Sequence, residues 1–239
     1  MAGFGFESRS EINDESVSGH LVTILAPMSA ASEAYRTLRT NILFAQVDAP
    51  PKVIAVTSPY TAEGKSTICA NLGVVLAHAD KNTLIVDCDF RRPVMHDIFG
   101  LGNTRGIADV LTGACALEEV VKQPLPDLSL KVLPVGALPP NPVEILSSRR
   151  LSELFAVIRD EYDYVLVDTP PVRLVSDAIV LSTQVDGVLL TLDTHISNKR
   201  EVRRTIRALE SVGATILGTV LNNIKDSQSD YRKGHLSYG

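Results

Sequence analysis

Ten consecutive residues, 58–67 (S-P-Y-T-A-E-G-K-S-T), combine the features that phosphate binding requires. Gly64 lets backbone N–H groups approach an oxyanion closely, and Lys65 can place an ammonium group against the outer phosphates. The hydroxyl of Ser66 stands where phosphate loops of this kind hold Mg²⁺. Pro59 occupies a position at which the usual Gly-x-x-x-x-Gly-Lys-Ser/Thr spacing has a glycine. The predicted nucleotide-binding residues of this loop are Ala62, Glu63, Gly64, Lys65, Ser66 and Thr67.

Acidic side chains follow two other apolar runs of the chain. Asp87 and Asp89 come after residues 83–86, and Asp168 comes after residues 164–167. A carboxylate directly after a buried strand can reach Mg²⁺ at the carboxyl edge of a sheet. Asp168 is therefore predicted to bind metal, with an ordinary turn at a strand end as the alternative. Alternation along an extended chain places Asp87 and Asp89 on one side, where either can accept a proton from an attacking hydroxyl.

The elements around these residues alternate between strand and helix. Residues 52–57 form a β-branched apolar run typical of a buried strand, and residues 68–79 repeat apolar side chains at helical spacing. This flanking pattern favours a phosphate loop at 58–67 over a surface turn. The whole alternation indicates an α/β protein with the P-loop NTPase fold, a mostly parallel central sheet with helices on both faces.

Three local predictions concern the ends of elements. Residues 21–25 are predicted to form a short edge strand that ends before Pro27. Ser32 is predicted to cap a helix that runs to residue 44. The proline-rich stretch at residues 139–142 is predicted to break the chain ahead of one long helix that ends near Asp160.

Length and composition indicate one globular domain with a large core. The chain has 239 residues, 45% of them hydrophobic, and a formal net charge of −5. This acidic balance argues against nucleic-acid binding, which needs a net basic face. We divide the chain into a flexible arm (1–20), a P-loop domain (21–225) and a flexible tail (226–239) that contains Tyr231 and Tyr238. The polar start and the lack of a long apolar run predict a cytoplasmic protein, which would need a partner to act at a membrane.

A charged stripe lies on the first predicted helix. Glu33, Arg36 and Arg39 repeat at three-residue spacing, which places them along one side of the helix. A solvated helix face is the simpler interpretation of this spacing. A surface that pairs with a neighbouring subunit is the alternative.

The motifs together resemble the bacterial tyrosine kinase family, the P-loop kinases of capsular and exopolysaccharide synthesis. Residues 57–67 resemble the Walker A motif of that family, residues 84–91 (L-I-V-D-C-D-F-R) its Walker A′ motif, and residues 165–171 (V-L-V-D-T-P-P) its Walker B motif. Residues 33–39 (E-x-x-R-x-x-R) are similar to its subunit-contact motif, and residues 139–142 (P-P-N-P) also match.

This resemblance implies transfer of the γ-phosphoryl group of ATP to tyrosine, with ATP and Mg²⁺ as cofactors. The acceptors would be Tyr231 and Tyr238 in the tail of a neighbouring subunit. The residues implied for metal binding are Ser66, Asp89 and Asp168, and those implied for catalysis are Lys65, Asp87 and Asp89. Asp87 is the candidate base, and it could exchange roles with Asp89.

The resemblance also implies partners. The implied contacts of a ring-like homo-oligomer are Glu33, Arg36 and Arg39. A membrane adaptor would activate the kinase and hold it at the inner face of the cell membrane. Protein tyrosine residues would be its substrates, and regulation of polysaccharide synthesis and export its role.

Two features leave other interpretations open. The tail holds only two tyrosines, where the family has a dense cluster, and Asn222 fits either an adenine contact or a polar end of the last strand.

Related ATPases of septum placement and chromosome partitioning, the MinD and ParA type, share the second aspartate motif. They usually carry an extra lysine early in the loop, and residues 59–63 contain none. A non-catalytic, nucleotide-dependent scaffold of a polysaccharide assembly complex is the third interpretation.

Overall fold

A six-stranded sheet organises the computed structural model, which describes residues 18–45, 50–139 and 141–224. The strands are β1 (Val53–Thr57), β2 (Thr83–Asp87), β3 (Leu130–Leu133), β4 (Tyr164–Asp168), β5 (Gly187–Asp193) and β6 (Ile216–Asn222). Their order is β3-β2-β4-β1-β5-β6, and every neighbouring pair is parallel. The α/β architecture predicted from the alternating pattern is confirmed.

Ten helices of the described residues surround this sheet. They are α1 (Val22–Leu25), α2 (Ala30–Leu43), α3 (Lys65–Ala77), α4 (Met95–Ile98), α5 (Ile107–Thr112), α6 (Leu117–Val120), α7 (Pro142–Leu146), α8 (Arg149–Glu161), α9 (Asp177–Ser182) and α10 (Lys199–Glu210).

The central strands are buried on both faces, which explains their continuous apolar sequences. Alternate residues of β1 enter different cores: Ile54 packs with α3 and its neighbours, and Val53 packs with α5 and α8. A third apolar cluster, around Val188 of β5, joins the sheet to α9 and α10. Helices therefore cover both faces, and the carboxylates that end β2 and β4 lie at the edge where the chain leaves the sheet.

The predicted edge strand at residues 21–25 is wrong. Residues 22–25 form the short helix α1, whose Thr23 donates from its backbone N–H (3.1 Å) and its hydroxyl (2.8 Å) to Oδ1 of Asn71 on α3. Leu21 is fully buried against the same core. The segment therefore packs on a helix, because its apolar side chains find a partner there and both sheet edges are formed by other strands, β3 and β6.

Two predicted helix boundaries also differ. Ser29, rather than Ser32, caps α2, because its side chain accepts the backbone N–H of Ser32 at 3.1 Å. The hydroxyl of Ser32 instead donates to the carbonyl of Ala26 at 2.7 Å. The single long helix predicted after Pro142 is two helices, since α7 ends at Leu146 and α8 begins at Arg149.

Several predictions fall outside the described residues. These are the tail tyrosines Tyr231 and Tyr238, the predicted tail as a whole, Pro140, and the predicted arm apart from residues 18–20. Among the residues that the structure does describe, no helix combines the length and the apolar character needed to cross a bilayer.

Candidate active site

Three acidic residues and one lysine meet at the carboxyl edge of the sheet. Asp87 ends β2 and is the register partner of Asp168, which ends the neighbouring strand β4. Lys65 is the first residue of α3, directly after the loop that follows β1. Because the three parallel strands end at the same edge, side chains that are up to 103 residues apart in sequence come into contact there.

Lys65 lies between two carboxylates. Its Nζ donates to Oδ2 of Asp89 at 2.8 Å and approaches Oδ1 of Asp168 at 3.5 Å. Burial alone would lower the pKa of Lys65, but the negative charges of Asp168 and Asp89 outweigh it and hold the pKa above its usual value. The ammonium group is therefore charged, and it is placed where it can be shared between carboxylates and a phosphate oxygen.

Ser66 and Asp168 form the oxygen-rich part of the site. The hydroxyl of Ser66 donates to Oδ2 of Asp168 at 2.6 Å and accepts from Nζ of Lys65 at 3.0 Å. Asp168 is fully buried, and burial raises its pKa, while Lys65 and the hydrogen bond from Ser66 oppose that rise. Within residues 18–45, 50–139 and 141–224, no three His, Cys, Asp or Glu side chains form a group able to hold a metal ion by themselves.

Asp87 and Asp89 have different surroundings although only one residue separates them. Asp87 is fully buried and accepts three backbone N–H groups, from Asp89, Val94 and Met95, each at 3.1 Å. Burial, with a smaller contribution from the charge of Asp168, raises the pKa of Asp87 to about 8. Asp89 instead faces Lys65 and lines the cavity of the site.

The phosphate loop requires glycine at position 64 for two physical reasons. Gly64 has a φ of +89°, in the left-handed region that side chains disfavour. A Cβ atom at this position would also lie 2.1 Å from Nδ2 of Asn222. That amide donates to the carbonyl of Glu63 at 3.1 Å, so the last strand holds the loop through its backbone.

Pro59 is compatible with the loop despite the missing glycine. The carbonyls of Ser58 and Pro59 accept the backbone N–H groups of Val172 (2.9 Å) and Arg173 (3.2 Å) from the segment after β4. Proline lacks only a donor, and this position acts as an acceptor. The departure from the usual spacing therefore leaves the hydrogen bonding of the loop intact.

Glu63 braces the loop in a way that the sequence motifs did not indicate. Its side chain is fully buried, accepts the backbone N–H of Tyr60 at 2.8 Å, and forms a short hydrogen bond with the hydroxyl of Ser197. Ser197 lies 134 residues away, in the segment between β5 and α10. No local pattern connects the two residues, and only the topology that places β5 beside β1 brings them together.

A cavity of about 280 Å³ opens over this edge of the sheet. Of the predicted site residues, those that line it are Ala62, Gly64, Lys65, Ser66 and Asp89. Glu63, Thr67, Asp87, Asp168 and Asn222 are not among its described lining residues. The structure thus brings the lysine, the serine and the three aspartates of the predicted site together, with Lys65, Ser66 and Asp89 at the surface of the cavity and Asp87 and Asp168 buried beneath it.

Comparison with known proteins agrees with this geometry. A family model described as an AAA domain matches residues 51–219. The tyrosine-protein kinase YwqD of Bacillus subtilis strain 168 is 39% identical over 220 residues, which are 92% of this chain and 90% of YwqD. The chain belongs to the bacterial tyrosine kinase family.

Solved structures of such kinases share the fold. The kinase domain of the Escherichia coli tyrosine kinase ETK has a TM-score of 0.84 and 31% identity, covering 91% of this chain and 83% of that one. The chimerical protein CapA2B2 has a TM-score of 0.83 and 37% identity, covering 87% of this chain and 92% of that one. The septum site-determining protein MinD of Pyrococcus horikoshii is less similar, with a TM-score of 0.61, 26% identity and coverage of 71% and 69%.

The residues that match the subunit-contact motif of the bacterial tyrosine kinases lie along α2. Arg36 donates to Glu33 at 2.7 Å and to the carbonyl of Pro27 at 2.5 Å. Arg39 reaches across to α3 and donates to the carbonyl of Val75 at 2.9 Å. The two arginines of the stripe thus already form hydrogen bonds within the chain. The Glu33 side chain, 68% exposed, is the most accessible member of the stripe.

Proposed function

We propose that this chain transfers the γ-phosphoryl group of ATP to tyrosine hydroxyl groups. The bond between the γ-phosphorus and the bridging oxygen of ADP breaks, a bond to the phenol oxygen forms, and the phenol proton passes to a carboxylate. The observation that carries the proposal is the position of Lys65, held between Asp89 and Asp168 at the head of α3. Such a reaction depends mainly on positioning and charge stabilisation, and both require a fixed cation at this place.

The phosphate loop supplies the anion-binding part of the site. Gly64 allows the backbone to approach the phosphates, and the N-terminus of the 13-residue helix α3 favours negative charge. Ala62, Glu63 and Thr67 complete the predicted contacts of the loop. Asn222 is placed beside Gly64, so an adenine contact by its side chain would compete with its hydrogen bond to the loop backbone.

Mg²⁺ is the proposed metal, held by Ser66 and Asp168 with support from Asp89. Mg²⁺ usually takes one or two carboxylates and completes its shell with water and substrate phosphates, so it needs no cluster of three protein ligands. The hydroxyl and carboxylate oxygens, in contact at 2.6 Å, fit that preference. Bound there, the ion would neutralise charge on the transferred phosphoryl group. The structural relative MinD of Pyrococcus horikoshii is described as complexed with Mg-ADP, which supports the proposal.

One of the two Walker A′ carboxylates accepts the proton of the tyrosine hydroxyl. Proton affinity favours Asp87, because its pKa is raised to about 8. Access to the substrate favours Asp89, because Asp89 lines the cavity. The oxygens of Asp87 instead accept hydrogen bonds from three backbone N–H groups. Asp87 is therefore the candidate base, and Asp89 is the alternative.

The proposed acceptors are Tyr231 and Tyr238 of a neighbouring subunit in a ring-like homo-oligomer. Glu33, Arg36 and Arg39 form the proposed contact, which the exposure of Glu33 supports. Other protein tyrosines would be substrates of the same site.

The proposed partner is a membrane adaptor that activates the kinase. The similarity to a chimerical protein, CapA2B2, supports it, because a chimera joins parts of different proteins. Through that adaptor the chain would act in the cytoplasm at the inner face of the membrane, where ATP is available, and would regulate polysaccharide synthesis and export.

The test is to incubate the purified chain with Mg-ATP, alone and with the cytoplasmic segment of its partner, and to measure phosphotyrosine by intact mass. We expect added phosphate on Tyr231 and Tyr238, and a rate about a thousandfold lower for Lys65→Met. Replacing both tyrosines with phenylalanine should remove the signal. Release of free phosphate without phosphotyrosine would contradict the kinase proposal and favour an ATPase, and nucleotide binding without either product would favour a scaffold.

A further inference from the structure

The cavity of the site extends beyond its phosphate-binding residues to an apolar wall. Val94, Pro170, Pro171, Leu174 and Val175 form this wall. Leu174 is 55% exposed, so its side chain is available to a ligand in the cavity. Triphosphate and Mg²⁺ are strongly polar, so the nucleotide phosphates do not account for this part of the cavity.

The wall is built from the two segments that also carry the acidic residues. Val94 follows Asp89 after β2, and the other four residues follow Asp168 after β4. Asn222, in contrast, holds the phosphate loop through Glu63 and does not line the cavity. The wall lines the same cavity as Lys65 and Asp89, so a phenol ring packed on it lies beside the place where the transferred phosphoryl group is expected.

The two arginines at the rim of the cavity are used differently. Arg91 forms an ion pair within the chain, because its Nε donates to the buried carboxylate of Asp177 at 3.0 Å. Arg92 donates its backbone N–H to Oδ1 of Asp89 at 3.0 Å, and its exposed guanidinium forms no ion pair or side-chain hydrogen bond with any residue of the described ranges. Within the described part of the chain, this positive charge beside the apolar wall has no carboxylate partner.

We propose that the apolar wall and Arg92 form the acceptor subsite, which binds a tyrosine whose preceding residue is acidic. This inference rests on the proposed kinase function. The ring would pack on the wall near Leu174 and Pro171, and the acidic side chain would pair with Arg92. A serine or threonine has no ring to fill the wall, so the same subsite would favour tyrosine over the smaller hydroxyl residues.

The tail of this chain contains one tyrosine that is preceded by an acidic residue and one that is not. Tyr231 directly follows Asp230, and Asp226 lies four residues before Asp230. Tyr238 stands in the sequence R-K-G-H-L-S-Y-G at 232–239, which contains no acidic residue. Charge complementarity with Arg92 therefore selects Tyr231 of a second copy as the preferred occupant.

The experiment measures initial phosphorylation of Tyr231 and Tyr238 in the full chain by peptide mapping. We expect the wild type to favour Tyr231 by about threefold, the size of one exposed ion pair. Arg92→Gln and Asp230→Asn should each abolish that preference, and the double variant should lose no more than either single one. Arg149→Gln, which changes an exposed arginine on α8, is the matched control and should keep the wild-type ratio.

The apolar wall is tested separately. Leu174→Ala should slow phosphorylation of both tyrosines by about fivefold through lost ring contact, and Val157→Ala, which truncates an equally exposed side chain on α8, should not. An unchanged ratio in Arg92→Gln, or an unchanged rate in Leu174→Ala, would overturn the subsite while leaving the kinase proposal standing. Absence of any phosphotyrosine in the wild type would instead overturn both.

Discussion

Asp87 and Asp89 show how two carboxylates in one motif can differ in function. Asp87 is held by three backbone N–H groups and keeps the segment after β2 in place. Asp89 forms the ion pair with Lys65 and lines the cavity. A buried acceptor of this kind stabilises the fold, whereas the ion pair at the cavity is available to substrate.

The first prediction compares how much each of these two carboxylates contributes to the stability of the fold. Asp87→Asn should lower the free energy of unfolding by about 1–3 kcal/mol, because an amide turned either way points an N–H at a buried backbone N–H. The loss should outweigh the relieved repulsion with Asp168. Asp89→Asn should unfold closer to the wild type, because its amide oxygen can still accept the backbone N–H groups of Arg91 and Arg92, and only the oxygen that faces Lys65 is replaced. Urea denaturation measures both.

Phosphotyrosine rates of the same variants identify the base. Loss of the base should slow transfer by about a hundredfold or more. If Asp87→Asn transfers phosphate within about tenfold of the wild type, Asp87 is not the base. Asp97→Asn, at an exposed position, is the control for a change of charge.

At the scale of residues, the sequence predicted several side chains that meet at the carboxyl edge of the sheet, but not the contacts that hold the phosphate loop in place. Lys65 and Asp168 stand at fixed positions relative to their own strands and helices, so local patterns find them. The sequence predicts Glu63 as a nucleotide-binding residue, but its side chain forms a hydrogen bond with Ser197. That contact depends on the packing of two distant segments, which no local spacing encodes.

Among the elements, the phosphate loop is held from three sides. The segment after β4 bonds to its first residues, Asn222 of β6 bonds to the Glu63 carbonyl, and Ser197 bonds to the Glu63 side chain. Ser197 also accepts the backbone N–H of Asp193 at 3.0 Å, which ties the brace to the end of β5. The loop conformation therefore depends on elements that contribute no residue to the phosphate contacts.

The second prediction tests this brace. Ser197→Ala should weaken ADP binding by about fivefold, because the buried Glu63 carboxylate loses a hydrogen bond and the loop loses its fixed geometry. Titration with a fluorescent nucleotide measures the effect. Ser152→Ala, which removes an exposed hydroxyl bonded to Gln184, should leave binding unchanged. Equal binding in Ser197→Ala and the wild type would show that the brace does not support the loop.

The buried central strands were predicted well, and the short helix α1 was not. The central strands are apolar throughout because both of their faces are buried, so their sequences predict them directly. Helix α1 has only four residues, and its conformation is set by the hydrogen bonds of Thr23 to Asn71 rather than by propensity. Such segments follow their tertiary contacts.

For the whole molecule, the sheet order explains why one edge carries the site. Strand β1 lies between β4 and β5, and β4 lies between β1 and β2, so the phosphate loop and both acidic motifs are neighbours. The alternating pattern predicted the sheet and this edge. It could not predict assembly, because the stripe of Glu33, Arg36 and Arg39 also makes contacts within its own chain.

The last prediction concerns that stripe. Replacing Glu33, Arg36 and Arg39 together with alanine should yield monomers with weak tail phosphorylation, because the proposed subunit contact and the acceptor from the neighbour are lost together. Light scattering measures the mass. Arg149 and Glu153, an exposed pair on α8, provide the matched control when both become alanine. Because Arg39 also joins α2 to α3, thermal unfolding must show that the variant remains folded. A folded variant of unchanged assembly size would reject the role of α2 in assembly.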